Sequence, residues 1–519
     1  MTQIWLEGFQ TRAGRMAEAN KGPDFTQGIA ASDLAPGAML RGTVDGAPVI
    51  LVRSEAGLRA FSAKCTHLGA MLDTGLLAGG EIRCPWHHAR FSADTGEAVA
   101  APAFAPLGCY RVEERDGRIV VGPKSESAPP APKPQAPERI VILGAGAAGF
   151  ACAFELARHG VGSQVTLIGE EADSPYDRTF CSKQYLAGKK ERDGVRLRET
   201  AFLRESGVEL RMGERVAAID ATGRNVRLES GEALGFDALV IATGASPQRL
   251  DTPGFERDNV FVLRSLADAD RIIASASKGK RALVVGSSFI GLEAAASLRG
   301  RGLEVDVVAP SAVPMRKVLG EEVGAMVRAI HEENGVRFHT GKVRSYDGAT
   351  ALLEDGTSLP ADFVVLGLGV SPRVDLAAEA GLDLASKEEG GGIRVDARLE
   401  TSQTGIFAAG DVANLPKRTG EGRQRIEHWV HAERQGQHVA RVLLGHGQRF
   451  EDVPFFWTAH FGTSLRYVGH ADEIADARMD GSTEARDFAL RLTDRQGGEA
   501  LVTAKRDKVA LQVEADWER

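Results

Sequence analysis

The sequence predicts a multidomain protein in which a small all-β module precedes a larger α/β region built on parallel sheets. The chain has 519 residues, roughly two to four times the usual size of one domain. Short apolar runs separated by Gly, Asp and Pro turns fill residues 26–122, as in a small all-β fold. After residue 138, strand-like runs alternate with helical stretches, which is typical of parallel strands joined by crossover helices.

A proline-rich segment, PKSESAPPAPKPQAPE, separates these two regions and predicts an extended linker. The α/β region is expected to hold two strand–helix units. The stretches ALVIATGASP and GIFAAGDVA resemble the two sequences that close one domain of flavin-dependent pyridine-nucleotide oxidoreductases, and this resemblance implies that the second unit interrupts the first. A small α+β domain is expected at the C-terminal side. The predicted boundaries are 26–122 for the β module, 123–138 for the linker, 139–252 with 375–447 for the first nucleotide-binding domain, 253–374 for the second, and 448–519 for the C-terminal domain.

Composition excludes several functional classes. The net charge of −8 is mild and Lys and Arg are spread along the chain, so no nucleic-acid partner is expected. No apolar run approaches the roughly 20 residues of a membrane span, and the start lacks the apolar core of a signal peptide. We therefore expect a cytoplasmic protein, and a homodimer is left open. An odd number of cysteines argues for thiols or metal ligands rather than disulfides.

The stretch RIVILGAGAAGFACAFELA places a GxGxxG fingerprint between a buried strand and a helix. Gly144 permits the turn, Gly146 lets the backbone approach a pyrophosphate, and Gly149 lets helix and strand pack closely. Glu170, about 20 residues on, is placed to accept a hydrogen bond from a ribose hydroxyl. Strand, helix and acid together predict a dinucleotide site.

A second unit, RALVVGSSFIGLEAAASL, repeats this plan with Gly286 and Gly291 but has Ser288 at the middle glycine. Serine is small enough to allow close approach of a pyrophosphate. The next strand ends without an acidic residue that could bind the ribose hydroxyls of NADH. Arg316 and Lys317, a few residues on, could instead bind the 2′-phosphate of NADPH. The unit predicts a nicotinamide nucleotide, NAD(P)H, with NADH favoured.

Four metal-ligand residues lie in the β module as CxH, sixteen residues, then CxxH: Cys65, His67, Cys84 and His87. The pattern closely resembles the Rieske signature, in which two thiolates bind one iron of a [2Fe-2S] cluster and two imidazoles bind the other. A Cys2His2 zinc site is the alternative, but zinc modules favour CxxC with Hx3-5H, and here each pair mixes Cys with His.

The neighbours of these ligands refine the prediction. Respiratory-type Rieske proteins carry an extra cysteine in each loop, and the corresponding positions here are Ala70 and Trp86. The module thus resembles the oxygenase-ferredoxin kind. His88 is expected to be a polar neighbour rather than a ligand, Cys109 to lie on a strand, and Cys152 to pack within a helix.

The region after the linker resembles ferredoxin reductases that serve aromatic-ring oxygenases and cytochromes P450, through SPYDRTFCSKQYL, ALVIATGASP, GIFAAGDVA, RIEHWVHAERQG and VPFFWTAHFG. The resemblance implies a glutathione-reductase-like fold and bound FAD. With the Rieske module, the whole chain resembles Rieske-bearing, apoptosis-inducing-factor-like oxidoreductases. The residues to which the resemblance assigns a role are Arg178, Thr243, Gly244, Asp411 and Trp457 at the flavin, and Lys183 paired with Glu293 at its N5 edge.

The expected function is transfer of electrons from NAD(P)H through FAD, one at a time, to the protein's own Rieske cluster. An oxygenase or a P450 is the acceptor suggested by analogy. Cys181 replaces the usual leucine of the signature, and a lone thiol there suggests an NADH oxidase or peroxidase as an alternative. Two more functions stay open, a redox-sensing binding protein and a reductase in which electrons flow in reverse, toward NAD⁺.

Overall fold

A computed structural model describes residues 22–125, 136–418, 421–446 and 448–519. The chain divides into two compact units, one formed by the N-terminal region with Arg506–Arg519 and the other ending at Lys505. Residues 126–135 of the predicted linker lie outside the described residues, and so do residues 1–21. Among the helices described, none is long and apolar enough to cross a bilayer.

The first unit contains two antiparallel sheets, which confirms the predicted all-β module. The six strands of the larger sheet lie in the order Ile29–Ala30, Arg118–Ser125, Cys109–Arg115, Gly57–Ser62, Ala47–Ser54 and Met39–Val44. The four strands of the smaller sheet are Leu76–Ala78, Glu81–Arg83, Arg90–Ser92 and Ala98–Ala100. Short 3-10 helices cover Phe25–Gln27, Ala31–Asp33 and Leu72–Thr74.

The last helix, Asp507–Trp517, belongs to this first unit. It buries Ala510, Leu511, Val513 and Ala515, and it lies next to the strand Leu76–Ala78. The sequence placed residues 448–519 in one C-terminal domain, whereas the structure separates this helix from the strands before it. The strand Arg118–Ser125 likewise runs beyond the predicted end of the module at residue 122.

The second unit begins with a parallel sheet, as the alternating pattern predicts. Its strands lie in the order Glu209–Met212, Val165–Gly169, Ile140–Leu143, Ala238–Ile241 and Ile406–Ala408. The last of these joins the sheet only after the chain has built a second parallel sheet. Helices Ala147–Arg158 and Trp429–Leu443 approach so closely that a Cβ on Gly436 would lie 2.0 Å from the carbonyl oxygen of Ala148.

The second parallel sheet has strands in the order Val260–Val262, Phe363–Leu366, Arg281–Val285, Glu304–Ala309 and Val336–Thr340. Its helices are Leu266–Ser275, Phe289–Gly300 and Arg316–Glu333. Each parallel sheet is accompanied by a three-stranded antiparallel meander, one of Val216–Asp220, Asn225–Leu228 and Ala233–Gly235, the other of Val343–Tyr346, Thr350–Leu353 and Ser358–Pro360.

An antiparallel sheet completes the unit, with strands in the order Phe455–His460, Thr463–Gly469, Glu499–Ala504, Asp487–Asp494 and Ile474–Ser482. The remaining strands are Ala245–Pro247 paired with Val370–Pro372, and the small sheet of Ile393–Arg394, Ala413–Pro416 and Arg423–Gln424. The remaining helices are Thr200–Glu205 and Asp375–Glu379, with 3-10 turns at Gly162–Gln164, Arg178–Phe180 and Arg192–Val195. One hydrophobic core joins this antiparallel sheet to the second parallel sheet.

Candidate functional site

Two loops of the first unit share one backbone pattern. The N–H of Cys65 donates to the carbonyl of Ala70 at 2.8 Å, and the N–H of Cys84 donates to the carbonyl of Ala89 at 2.9 Å. Each loop therefore folds back on its own cysteine over the same number of residues. This repetition is what the paired CxH and CxxH motifs predict.

The four predicted ligands stand in two pairs. Cys65 and Cys84 are buried, and the contact with Cys84, together with burial, raises the pKa of the Cys65 thiol. His67 and His87 are half-buried, with ring centroids 5.0 Å apart. Two sulfurs in one pair and two imidazoles in the other fit the donor set of a Rieske cluster. In the parts of the chain that are described, no three or more His, Cys, Asp or Glu side chains are grouped to hold a single metal ion.

His88, next to a predicted ligand, contacts the last helix. Its Nδ1 lies 2.5 Å from Oε2 of Glu514, and both side chains are fully buried. Arg83 and Arg90 reach Oε2 of Glu518 on the same helix at 2.6 and 2.8 Å. The expected polar loop neighbour is thus part of a buried contact between a cluster loop and the C-terminal helix.

The first glycine fingerprint has the geometry that its roles require. Gly144 has a φ of +108°, and a Cβ there would lie 2.2 Å from the carbonyl oxygen of Ala242. A Cβ on Gly149 would lie 1.8 Å from the carbonyl oxygen of Gly144. Gly146 is different, since its nearest neighbour would be Nε of Arg178 at 3.9 Å. Two glycines thus allow close packing and the middle one leaves room, a cradle that fits a pyrophosphate.

The second fingerprint packs in the same way. A Cβ on Gly286 would lie 2.2 Å from the carbonyl oxygen of Gly367, and one on Gly291 would lie 2.4 Å from that of Gly286. The hydroxyl of Ser288 donates to Gly367 O at 2.8 Å and accepts from the Gly291 N–H at 3.3 Å. The serine therefore caps helix Phe289–Gly300, a role that the sequence did not indicate.

A cavity of about 1170 Å³ in the second unit is lined by residues of both fingerprints. This exceeds the roughly 300–1,000 Å³ of a typical small-molecule site, as expected where two dinucleotides meet. The predicted residues that line it are Gly144, Gly146, Glu170, Arg178, Lys183, Thr243, Gly244, Glu293, Asp411 and Trp457. The packing glycines Gly149, Gly286 and Gly291 instead hold strands against helices.

Lys183 and Glu293 form a buried ion pair at the cavity wall. The Lys183 Nζ lies 2.9 Å from Oε2 of Glu293, and the side chains are only 15% and 3% exposed. The same Nζ lies 6.0 Å from the centroid of the Trp457 ring. Because the pair is buried, it differs from the exposed surface pairs that contribute little to stability.

Arginines that the sequence did not single out organise the rest of the wall. Nη2 of Arg264 lies 2.7 Å from Oδ2 of Asp411, and Nη1 of Arg373 lies 2.6 Å from Oε1 of Glu170. Arg264 comes shortly after the strand Val260–Val262, and Arg373 directly follows the strand Val370–Pro372. Their positions at strand ends are the feature of the sequence from which a role at the site could have been predicted. Both predicted acids thus face the cavity with a cation beside them.

Arg178 is held by the residue next to the predicted acid. Its guanidinium donates to the Tyr176 hydroxyl at 2.8 Å and pairs with Glu171 rather than with Glu170. Burial alone would raise the pKa of Glu171, but the charge of Arg178 and the hydrogen bonds from Tyr176 and Arg178 together outweigh it and lower that pKa. The sequence could not distinguish the two adjacent glutamates, because both follow the same strand.

His428, in the motif RIEHWVHAERQG, is another cavity residue that the sequence analysis did not assign. Its ring stacks on Phe456 with the centroids 4.1 Å apart. Burial lowers the pKa of His428 to about 3, so the imidazole is neutral at physiological pH. The wall therefore presents a neutral ring on an aromatic platform.

Cys181 packs in the hydrophobic core of the second unit and is only 2% exposed. Burial raises the pKa of its thiol to about 12, even though Arg178 opposes the shift. A thiol with that pKa is protonated at neutral pH and is a poor nucleophile. The geometry gives no support to the oxidase or peroxidase alternative. As expected, Cys109 begins a strand and Cys152 is buried in a helix.

Comparison with known proteins finds two domains in the chain. Residues 138–436 match the family described as pyridine nucleotide-disulphide oxidoreductase, and residues 26–111 match the Rieske [2Fe-2S] domain. Apoptosis-inducing factor 3 from Mus musculus is 31% identical over 501 residues, covering 93% of this chain and 82% of the relative. The ferredoxin–NAD(+) reductase component of the p-cumate 2,3-dioxygenase system from Pseudomonas putida is 35% identical over 335 residues, covering 64% of this chain and 81% of the relative.

Solved structures show the same relationship. The covalent putidaredoxin reductase–putidaredoxin complex aligns with a TM-score of 0.69 at 30% identity, covering 73% of this chain and 93% of the other. The ferredoxin reductase of the CYP199A2 system from Rhodopseudomonas palustris aligns with a TM-score of 0.65 at 33% identity, covering 70% and 91%. The chain therefore belongs to the pyridine nucleotide-disulphide oxidoreductase family, as a flavoprotein reductase of the ferredoxin–NAD(+) reductase and apoptosis-inducing-factor-like kind that carries a Rieske [2Fe-2S] domain.

Proposed function

We propose that the protein oxidises NAD(P)H and passes the electrons one at a time to its own Rieske cluster, and from there to an acceptor protein. One observation carries the proposal. The buried Lys183–Glu293 pair stands at the wall of a cavity shared by both nucleotide fingerprints, in a chain that also holds two Cys and two His in the Rieske arrangement.

The residues of the cavity have different proposed roles. Gly146 leaves room for the pyrophosphate of FAD, Gly144 permits the turn beside it, and the unit around Ser288 holds NAD(P)H. A bound flavin supplies the two-to-one conversion, because it accepts a hydride and gives up single electrons. Lys183 places a positive charge where negative charge develops at the ring edge, and Glu293 fixes its direction.

NADH is the favoured donor. The strand Glu304–Ala309 ends without a basic residue directly after it, where an arginine would recognise a 2′-phosphate. Lys317 does line the cavity, so a weaker use of NADPH is expected as well. Measuring kcat/KM for both nucleotides, with Lys317→Ala as a variant, tests this preference.

An oxygenase or a P450 is the proposed final acceptor. The support is analogy, since two of the relatives are named as components of a dioxygenase system and as the reductase of putidaredoxin. The cytoplasmic location and the homodimer stay predictions. Very slow NADH oxidation with every acceptor tried would instead favour a redox-sensing binding protein.

Anaerobic rapid mixing with NADH tests internal transfer. Absorbance follows the flavin, and low-temperature EPR of frozen samples follows the cluster. We expect the Rieske signal to appear as the flavin is turned over, at a rate that does not depend on protein concentration. Reduction of the flavin while an assembled cluster stays oxidised would contradict the proposal. A rate of cluster reduction that is proportional to protein concentration would show that electrons pass between molecules. The relative reduction potentials, measured in the same protein, decide the direction of flow.

A further inference from the structure

A buried chain of hydrogen bonds extends from the carboxylate of Glu293 into the interior of the second unit. The Thr458 hydroxyl donates to Oε1 of Glu293 at 2.8 Å. Thr458 Oγ1 lies 3.1 Å from Nε2 of His460, and Nδ1 of His460 lies 3.1 Å from Nε2 of His331. Thr458, His460 and His331 are each no more than 1% exposed, so water does not compete for these bonds.

Three elements far apart in sequence build this chain. Thr458 and His460 are alternate residues of the strand Phe455–His460, so their side chains point to the same face. His331 comes from helix Arg316–Glu333 and Glu293 from helix Phe289–Gly300. The contact between strand and helices is part of the core that joins the second parallel sheet to the antiparallel sheet.

Both imidazoles in the chain are neutral. Burial lowers the pKa of His460 to about 3, and the charge of Lys183 contributes. Burial lowers the pKa of His331 to about 2, with a contribution from His460. A neutral imidazole has one N–H donor and one acceptor nitrogen, so each ring passes on one hydrogen bond in one direction.

The direction is set at Glu293. Its Oε2 accepts from Lys183 at 2.9 Å and from the Ser182 hydroxyl at 2.6 Å, and its Oε1 accepts the hydrogen of Thr458. Since Thr458 has one hydroxyl hydrogen, it must accept from Nε2 of His460. Nδ1 of His460 is then an acceptor and receives the N–H of Nε2 of His331.

The hydrogen-bonded chain ends at His331. Nδ1 of His331 is buried and has no hydrogen-bond partner among the described residues. The ring packs against Phe338 and Phe461, with centroids 6.1 and 5.1 Å away. If Glu293 took up a proton and donated it to Thr458, both imidazoles would change tautomer. Within the described part of the protein, Nδ1 of His331 has no partner in either tautomer, so the direction of the chain is set by the charge of Glu293 and not by its far end.

We propose that Thr458, His460 and His331 are positioning residues that fix the Glu293 carboxylate beside Lys183. The proposal deepens the proposed function, on which the role of the Lys183–Glu293 pair rests. A carboxylate that accepts hydrogen bonds in its charged form is favoured in that form. The titratable groups that face Glu293 from the packed elements are Lys183 and His460, with His331 behind His460.

Infrared pH titration of the oxidised full-length protein tests this without turnover. The band of a protonated carboxyl group that is absent from E293Q reports the protonation of Glu293. In T458V this band should appear at a higher pH than in the parent, because the carboxylate loses one hydrogen bond that favours its charged form. T458S keeps the hydroxyl and should restore the parent behaviour.

Thr503 provides the matched control. It is fully buried on the neighbouring part of the same sheet, and its hydroxyl has no hydrogen-bond partner among the described residues. T503V makes the same substitution as T458V, and it should leave the pH at which the Glu293 band appears unchanged. If T458V and T503V titrate alike, the positioning role is wrong.

Two variants at His460 examine the next bond. In H460Q the amide can donate to Thr458 and accept from His331, so a titration close to that of the parent is expected. H460L removes both bonds and should shift the titration upward, by less than T458V does. An unshifted H460L would restrict the positioning role to Thr458. Failure of electron transfer to the cluster leaves these titrations unchanged, so the two proposals fail separately.

Discussion

Glu293 and Glu514 are both buried glutamates that meet a histidine-bearing element, yet their surroundings differ. Glu293 stands at a cavity wall, where a lysine, a serine and a threonine donate to its two oxygens. Glu514 lies in a fully buried contact with His88, between a helix and a cluster loop of the first unit. The same side chain thus pairs with a lysine at a cavity wall in one place and joins two segments of the first unit in the other.

The two glutamates differ in how exposed their partners are. Lys183 is still 15% exposed and faces the cavity, so its charge can act on a ligand. His88 and Glu514 are 0% exposed, so their contact can act only through the position of the loop. Substitutions in the two units should therefore have different consequences, for chemistry in one case and for stability in the other.

The largest effect is expected at a cluster ligand. C84S removes a thiolate, and we expect complete loss of the cluster absorbance and of the Rieske EPR signal. Reduction of the flavin by NADH should persist, because the cavity belongs to the other unit. C109S is the control, since Cys109 begins a strand outside the two loops and should keep the cluster. A cluster retained in C84S would contradict the ligand assignment.

E293Q should lower the rate of flavin reduction by NADH roughly a hundredfold, because Lys183 loses the partner that fixes its charge. Stopped-flow absorbance measures this rate, and EPR of the chemically reduced protein should show an intact cluster. E304Q changes a half-exposed glutamate of a surface ion pair and should leave the rate unchanged. Equal rates for E293Q and E304Q would argue for a purely structural pair.

E514A should act on stability instead. Removing one partner of a buried pair leaves His88 without its carboxylate, and we expect the free energy of unfolding of the first unit to fall by about 3 kcal/mol. Loss of the cluster absorbance in denaturant measures the unfolding. V509S, at a 40% exposed position of the same helix, should cost far less. An E514A protein as stable as V509S would show that the helix is not fastened at this contact.

C181A should have the smallest effect. The thiol is buried and protonated, so neither NADH oxidation nor turnover of added peroxide should change. Steady-state assays with and without peroxide test this, with E293Q as the variant that does lower NADH oxidation. Loss of peroxide turnover in C181A alone would revive the peroxidase alternative.

The sequence predicted most where the physical cause is local. Gly149 is dictated by a contact within one strand–turn–helix and Gly144 by the positive φ of that turn, and the predicted ligands of the cluster lie in two short loops. The Lys183–Glu293 pair spans 110 residues and was available only through resemblance to a family. No local pattern indicates that His331 meets His460, because a buried histidine in a helix leaves the same signal whatever its partner.

The C-terminal helix shows the same limit. Its carboxylates Glu514 and Glu518 meet His88, Arg83 and Arg90, more than 400 residues earlier in the chain. Position alone therefore suggested that the helix belongs to the preceding strands. The fold class and the two nucleotide fingerprints could be predicted, whereas the assignment of this helix required the packing of its buried face.

That assignment alters the connectivity of the molecule. Because Arg506–Arg519 belong to the unit of the cluster loops, the reductase unit is an insertion within the Rieske unit rather than a neighbour that follows it. A protease that cuts once in the proline-rich segment would leave the helix Asp507–Trp517 covalently attached to the reductase unit, while the strands that carry the cluster loops would keep only their noncovalent contacts with that helix. Releasing the whole cluster unit takes two cuts, and a fragment covering only 26–122 would lack Glu514 and Glu518, the carboxylates with which the C-terminal helix meets His88, Arg83 and Arg90.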